Sequence, residues 1–222
     1  MKPKRLTREQ RRNQTRDSLL FAARDIFSTK GFTAASVEDI AAAAGYTRGA
    51  FYSNFEGKSD LLLELLQRDH EEVQAESQRN FDLLTAREGG MVVSSDCARL
   101  LGNRPASFLL WIEAKMYAAR DSRFRAQLCT LLRKKRAHTA TCISSIIARN
   151  GTQFSLSADT LALALLALGE GLQSWRVADP YEVPGEQLDA LVCGFLAFIG
   201  SGAADRHTSS VFCEASVPPR NR

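Results

Sequence analysis

Apolar residues recur at helical spacing along most of the chain, and short polar or glycine-containing breaks separate the runs. The first run predicts a long helix from Thr7 to Lys30, closed by Gly31. Two much shorter helices follow, with Ser36 and Thr47 placed to cap them. Further helices are predicted over 58–84, 91–101, 105–119, 122–149, 158–177 and 184–199, and the residues after 200 show no periodicity. The pattern therefore indicates an all-α fold with an unstructured tail.

The spacing also predicts which side chains are buried near the N-terminus. In the first helix the apolar stripe consists of Leu19, Leu20, Ala23, Ile26 and Phe27. Three phenylalanines, Phe21, Phe51 and Phe55, are expected to join the same small core. Phe32 is expected to fold back on Phe27 after the helix ends.

Residues 36–58 have the pattern of a helix-turn-helix. Asp39, three residues after Ser36, supports that cap, and Gly45 allows the tight turn through positive φ. In the second short helix Phe51 and Phe55 share one face. The opposite, open face then carries Arg48, Gly49, Tyr52 and Asn54. A second helix of this kind is suited to reading a major groove.

Charge is distributed unevenly along the chain, although the formal net charge of the 222 residues is only +4. Residues 1–58 carry 11 basic and six acidic side chains, whereas the remainder carries 18 basic and 19 acidic ones. All of the net positive charge therefore lies with the helix-turn-helix, as expected of a segment that meets phosphates. A solvated basic tail is the alternative explanation.

The helix-turn-helix resembles the DNA-binding signature of the TetR family of bacterial one-component repressors. The resemblance is carried by an Ala-Gly pair, then Gly-x-Phe-Tyr-x-x-Phe and a following lysine: Ser36, Asp39, Ile40, Ala41, Ala44, Gly45, Thr47, Gly49, Phe51, Tyr52, Phe55, Lys58, Leu61 and Leu62. It is specific from about residue 15 to 66. Asn54 stands where the family usually has a histidine, and Tyr46 is larger than the usual aliphatic residue.

This resemblance implies a homodimeric repressor that binds operator DNA and is released by a small-molecule effector. The implied domains are a DNA-binding domain with a basic arm (1–58), a helical effector-binding and dimerisation domain (59–200) and a tail (201–222). Arg48 is expected to read a base, most readily guanine, through its two-pronged donor fork. Tyr52 and Lys58 are expected to hold phosphates. The remaining candidate DNA-binding residues are Ser36, Tyr46, Thr47, Gly49 and Asn54.

The effector is expected to be apolar or aromatic and to lie among the helices predicted over 105–119, 122–149 and 158–177. Such pockets are mostly apolar with a few polar groups. For each residue, packing in an ordinary core is the alternative. The candidate lining residues are Phe108, Trp111, Ile112, Met116, Tyr117, Thr139, Cys142, Gln173 and Trp175. Glu113, Lys115 and His138 are the titratable residues of these segments that could also face inward.

The last two predicted helices are apolar on more than one face. Helices of this type are either buried in a core or paired with a second copy. The family resemblance implies the second arrangement, two helices of each subunit forming a four-helix interface, and a core within one chain is the alternative. The candidate interface residues are Leu161, Leu165, Leu168, Leu172, Leu188, Leu191, Val192, Phe195 and Phe198.

Other classes of protein are less well supported by the residues. None of the common catalytic motifs and no metal-ligand spacing appears, so neither a catalytic residue nor a cofactor or metal is predicted. Five cysteines without paired spacing favour buried thiols over a disulfide framework. The absence of a signal-peptide pattern and of a long apolar run predicts a cytoplasmic protein without membrane contact. An architectural DNA-binding protein without an effector, or an enzyme with an unrecognised site, remains the alternative.

Overall fold

The computed structural model describes residues 7–85, 105–151 and 153–181, together with 190–192, 194, 195 and 198. Every regular element in these ranges is an α-helix. Four predicted parts lie wholly or mostly outside the described residues: the helix at 91–101, most of the helix at 184–199, the arm at 1–6 and the tail. The described residues of the helix predicted at 184–199, namely 190–192, 194, 195 and 198, are helical. The elements are α1 (Arg8–Lys30), α2 (Val37–Ala43), α3 (Arg48–Tyr52), α4 (Lys58–Thr85), α5 (Pro105–Ala118), α6 (Ser122–Asn150) and α7 (Ala158–Ala178).

The first helix begins and ends where the pattern predicts. The Thr7 hydroxyl accepts the Gln10 N–H at 3.1 Å, and the Gln10 side chain accepts the Thr7 N–H in return. At the other end the Gly31 N–H donates to the Phe27 carbonyl at 3.0 Å. Phe32 then packs edge-on against Phe27, with 5.3 Å between ring centroids. Both predicted ends of α1 are confirmed.

The chain divides into two compact units, and the first contains residues 1–75 and 102–133. Its core combines the three N-terminal helices with residues of α4, α5 and α6. The predicted domain boundary at residue 58 stays a prediction, since the packing of this unit continues well beyond it. The largest contributions after residue 58 come from Leu61, Leu62, Leu65, Leu66, Leu110, Trp111, Phe124, Leu128 and Leu131.

Phe21 is not part of this core. Its side chain is 73% exposed, whereas Phe51 and Phe55 are almost fully buried. The prediction that all three share one core is therefore wrong for Phe21. On α1, Leu20 and Phe27 face inward, and Phe21 lies to one side of them, in line with the exposed Asp17 and Asp25.

The second unit contains residues 76–101 and 134–222. Among its described residues, the core consists of Ile143 on α6, Leu161, Ala162 and Leu165 on α7, and Val192. The Ser157 hydroxyl caps α7 by accepting the Thr160 N–H at 3.2 Å, as predicted.

Two further observations concern the described residues as a whole. None of their helices is both long and apolar enough to cross a membrane. They also contain no group of three or more His, Cys, Asp and Glu side chains arranged to hold a metal ion.

Candidate nucleic-acid interface

The turn between α2 and α3 is formed by backbone hydrogen bonds around a glycine. Gly45 has φ +75°, a conformation that residues with a Cβ rarely adopt. The following residue, Tyr46, donates its N–H to the Ala41 carbonyl at 2.8 Å. Thr47 then caps α3 by accepting the Ala50 N–H at 3.2 Å. The predicted helix-turn-helix is thus present, with α3 as its second helix.

One side of α3 is fixed by aromatic packing. Phe51 is fully buried, Phe55 is 2% exposed, and their ring centroids are 5.6 Å apart. The guanidinium of Arg16, on α1, lies 4.2 Å from the Phe55 centroid. Arg16 also donates to the Asn54 carbonyl and to the Glu64 carboxylate on α4. One arginine therefore ties the end of α3 to both α1 and α4.

The other side of α3 is open to solvent. Thr47, Arg48, Gly49 and Tyr52 are all exposed there. A Cβ added at Gly49 would meet nothing closer than the Thr47 hydroxyl at 3.7 Å, an ordinary contact distance. The protein's own packing thus does not require a glycine at this position. A helix surface without a side chain here lets another molecule approach the backbone closely.

Arg48 is the cation on this open surface. Its side chain is 64% exposed, and one guanidinium nitrogen lies 2.9 Å from a carboxylate oxygen of Glu38, on α2. The guanidinium carbon is 5.4 Å from the Tyr52 ring centroid. The hydrogen bond with Tyr52 and the charge of Glu38 raise the pKa of Arg48, so it stays charged. Because the side chain is more than half exposed, Arg48 is accessible to a base or a phosphate.

Ser36 is occupied by the helix cap. Its hydroxyl accepts the Asp39 N–H at 3.0 Å, and the Asp39 carboxylate accepts the Ser36 N–H in return at 3.0 Å. The ammonium of Lys30 donates to Asp39 at 2.9 Å. These hydrogen bonds, from Lys30 first and then from Ser36, lower the pKa of Asp39 to about 2. This arrangement confirms the predicted start of α2.

Lys58 makes contacts that the sequence did not indicate. Its ammonium donates to the carbonyls of Phe32, Thr33 and Ala35 at 2.6, 3.0 and 2.6 Å, which occupies all three of its protons. The Phe32 N–H donates to the carboxylate of Glu113, on α5. Burial of the ammonium lowers the pKa of Lys58, and the nearby charge of Glu113 opposes this. Lys58 therefore fastens the turn between α1 and α2, and a phosphate contact for it stays a prediction.

Asn54 and Tyr46 are half-buried rather than fully open. The Asn54 amide donates back to the Ala50 carbonyl, on its own helix, at 2.8 Å. The structure thus groups Thr47, Arg48, Gly49 and Tyr52 on one exposed surface, and it turns Asn54, Ser36 and Lys58 towards internal partners. The sequence did not indicate Arg16 or Glu38, and it indicated Glu113 only as a residue that could face inward near the effector, because each of these contacts joins residues that are not neighbours in the sequence.

The nine candidate effector residues fall in both units. In the first unit Phe108 and Trp111 are buried, Ile112 and Tyr117 are partly buried, and Met116 is 54% exposed. In the second unit Thr139 and Gln173 are buried, Cys142 is partly buried, and Trp175 is 66% exposed. Burial lowers the pKa of His138 and raises that of Cys142, whose thiol lies 3.8 Å from the His138 ring. A role in effector binding stays a prediction for all nine.

The candidate interface residues differ in how much surface they leave free. Leu161, Leu165 and Val192 are buried in the core of the second unit, which is the alternative that the sequence had left open for some of these leucines. Leu168, Leu172 and Phe195 are partly buried, Leu191 and Phe198 are 47% and 48% exposed, and Leu188 lies outside the described residues. On α7 the exposed side instead carries Leu163, Ala167, Gly171 and Trp175, spaced four residues apart.

A protein-family model for bacterial regulatory proteins of the tetR family matches residues 19–65, the segment that holds the helix-turn-helix. The predicted resemblance of this segment to the TetR family is thereby confirmed. The match begins within α1 and ends within α4, so it includes every element that positions α3.

Two curated relatives agree with this TetR assignment. The chain is 40% identical over 76 residues to the HTH-type transcriptional regulator AcrR of Shigella flexneri, which covers 33% of this chain and 35% of AcrR. It is 38% identical over 55 residues to the HTH-type transcriptional repressor BepR of Brucella suis, covering 25% of this chain and 26% of BepR. The chain thus spans only about a quarter to a third of the length of these relatives.

Solved structures show a similar fold over most of the chain. A putative TetR-family transcriptional regulator from Rhodococcus sp. aligns with a TM-score of 0.68 and 23% identity, covering 84% of this chain and 98% of that one. A putative transcriptional regulator from Saccharomonospora viridis, in complex with choline, aligns with a TM-score of 0.65 and 19% identity over 83% and 96%. At these identities the likeness shows a shared all-α fold.

Proposed function

We propose that the chain is a homodimeric transcriptional repressor that binds a near-palindromic operator and releases it when a small-molecule effector binds. The observation that carries this proposal is the exposed surface of α3. It presents Thr47, Arg48, Gly49 and Tyr52 together on a helix whose other side is anchored by Phe51 and Phe55.

Arg48 would supply most of the sequence recognition. A guanidinium fork that reaches a guanine makes two hydrogen bonds to the base edge, and no neutral side chain provides the same pair of donors. Thr47 and the bare backbone at Gly49 would lie against base edges or sugar. Tyr52 would hold a phosphate, which positions the helix without selecting a sequence. Lys58 would act indirectly, through the turn that it fastens.

Dimerisation is proposed from the exposed side of α7. Leu163 and Trp175 are 52% and 66% exposed, and the small residues Ala167 and Gly171 lie between them on the same side. An apolar stripe of this kind suits a second helix packed closely along it. A symmetric pair would present two α3 helices, as required by two half-sites about 34–36 Å apart.

Release by an effector is supported by the likeness of the fold rather than by the residues of α3 and α7 named above. The regulator from Saccharomonospora viridis has a similar fold and was solved with choline, so a fold of this kind holds a small molecule. The buried aromatic residues Phe108 and Trp111 offer apolar surface for one in this chain. BepR, a relative in the DNA-binding part, is named as a repressor, which favours repression here. An architectural DNA-binding protein would need no such effector.

The test is binding of the purified protein to DNA from upstream of its own gene, followed by fluorescence anisotropy over a series of salt concentrations. We expect tight binding to one fragment and a steep loss of affinity as salt increases. Arg48→Ala should reduce specific affinity about 10- to 100-fold, towards that for unrelated DNA. The matched control is Arg125→Ala, which removes one exposed arginine from α6 instead. Equal losses in the two variants would reduce the role of Arg48 to general electrostatic attraction.

A further inference from the structure

The second helix of the helix-turn-helix is too short to fix its own direction. α3 contains five residues, Arg48–Tyr52, which is about one and a half turns. Helices of this length are unstable by themselves in water, so the direction of α3 depends on what packs around it. The last carbonyl groups of a helix also have no partner within it, and nearby side chains can satisfy them. Contacts at the end of α3 therefore help to set the direction of Arg48 at its start.

Arg16, on α1, makes such a contact with the segment that follows α3. Its Nη1 donates to the Asn54 carbonyl, two residues after the last residue of the helix. Its Nε and Nη2 donate to the two carboxylate oxygens of Glu64, the first at 3.0 Å. The guanidinium also lies 4.2 Å from the centroid of the Phe55 ring. The carboxylate and the ring thus fix the guanidinium in the position from which it holds the end of α3.

A second arginine shares the same carboxylate without contacting α3. Arg68, on α4, donates to Glu64 at 2.9 Å and to Asp17 at 2.7 Å, and these contacts join α4 to α1. Of the two arginines, Arg16 is the one bonded to the segment after α3. Substitution can therefore separate the fastening of α1 to α4 from the holding of α3.

We propose that Arg16 is a positioning residue for DNA reading, which holds α3 in the direction from which Arg48 meets a base. The role rests on the proposed function, and it falls on a residue that precedes the segment matched by the family model, 19–65. Arg16 acts through α3 rather than on DNA, because its guanidinium is turned towards Glu64 and its side chain is only 28% exposed. A two-pronged contact with guanine tolerates little displacement, since both hydrogen bonds depend on the direction of the fork.

Lysine is not equivalent to arginine in this role. A guanidinium is a rigid planar fork with five N–H donors, whereas an ammonium is a single nitrogen at the end of a flexible chain. Lysine at position 16 keeps the positive charge and can pair with Glu64. Its one nitrogen does not reproduce the fork that holds both Glu64 oxygens and the Asn54 carbonyl at once. Arg16→Lys therefore loosens the end of α3 and leaves the general attraction to phosphates unchanged.

The experiment compares Arg16→Lys with Arg68→Lys in the full-length protein. Both substitutions keep the net charge, and each changes an arginine that is bonded to Glu64. Anisotropy titrations give the affinity for the operator fragment and for unrelated DNA. We expect Arg16→Lys to lower the operator affinity about tenfold and to leave the affinity for unrelated DNA unchanged, and Arg68→Lys to change neither. Equal losses in the two variants, or equal losses on the two DNAs, overturn the proposal.

Hydrogen exchange in the protein without DNA provides a second measurement. The Ser53 and Phe55 amides donate to carbonyls of α3 at 3.1 and 2.9 Å. Their exchange should become several-fold faster in Arg16→Lys and stay at the wild-type rate in Arg68→Lys, because local opening of α3 exposes these amides. Unchanged exchange at the two amides overturns the proposal. So does faster exchange throughout the first unit, which would show a general loss of stability.

The two measurements separate the role of Arg16 from the proposed function. Wild-type protein that binds no DNA fragment specifically contradicts the proposed repressor, and the exchange rates then decide whether Arg16 holds α3. Wild-type protein that binds its operator, with Arg16→Lys binding equally well, contradicts the positioning role alone.

Discussion

The guanidinium of Arg48 lies 2.9 Å from the carboxylate of Glu38, so the side chain that we propose to read a base forms an ion pair with the preceding helix. Both side chains are more than half exposed, and such a pair is weak in water. The pair keeps the guanidinium beside α2, and a base or a phosphate would have to compete with Glu38 for it.

Glu38→Gln should therefore increase affinity for the operator a few-fold. The substitution removes the competing partner of Arg48 and also a negative charge close to the phosphates. Anisotropy titrations at low and high salt would measure this, with the larger gain expected at low salt. A loss of affinity would instead mean that the pair with Glu38 holds Arg48 in its reading position.

Gly49→Ala should have different effects on the free energy of unfolding and on the affinity for the operator. Because the added methyl group meets only an ordinary contact at 3.7 Å, and alanine favours helices, the free energy of unfolding should stay the same or rise by up to about 1 kcal/mol. Operator affinity should nevertheless fall about tenfold or more, since the methyl group occupies space needed by the DNA. Chemical denaturation and anisotropy would measure the two quantities. An unchanged affinity would place Gly49 away from the DNA.

Lys58→Met should destabilise the protein by about 2 kcal/mol, because three carbonyls of the turn at 32–35 lose the ammonium that donates to them. Hydrogen exchange at this turn should become faster. Lys30→Met is the control, since it removes an ammonium that is half exposed, and it should change the free energy of unfolding much less. Equal effects of both substitutions would show that the turn does not depend on Lys58.

The cap of α2 should depend on pH through Asp39. Its pKa is lowered from 3.8 to about 2 in the folded protein, so its contribution to stability is complete above about pH 4 and is lost as the pH falls through 2. The difference in unfolding free energy between the wild type and Asp39→Asn should accordingly shrink over this interval. Urea titrations at several pH values would follow it, and an Asp39 carboxyl that titrates near 4 by NMR would contradict the prediction.

Ala167→Arg should convert the proposed dimer to a monomer. It places a long charged side chain in the middle of the exposed apolar stripe on α7, where a closely packed partner leaves no room for it. Sedimentation velocity would report the mass of the particle. Ala137→Arg, at an exposed position of α6, should leave the mass unchanged. A wild-type monomer would remove the basis for two α3 helices acting together.

Much of the fold could be predicted from the sequence because local signals determine it. The caps at Thr7, Ser36 and Thr47 and the positive φ of Gly45 each depend on residues within a few positions. The exposed surface of α3 follows in the same way from the burial of Phe51 and Phe55, four residues apart.

What could not be predicted depends on partners distant in the sequence. Helical periodicity indicates that a residue lies near an apolar face, but not whether another helix covers it, and Phe21 remains exposed for this reason. Lys58 was interpreted as a phosphate ligand because nothing near it in the sequence indicates the carbonyls of residues 32–35. Leu161 and Leu165 have the apolar character of either a core or a dimer interface, and their packing against Ile143 and Val192 could not be read from the sequence.

The core that supports the helix-turn-helix includes Phe124, Leu128 and Leu131 as well as α1. During synthesis, the segment that we propose to contact DNA therefore cannot complete its packing until more than half of the chain has left the ribosome. A prematurely terminated chain would carry α3 without the helices that hold it. The surface proposed to bind DNA and the helices that complete its core would therefore be acquired together during synthesis.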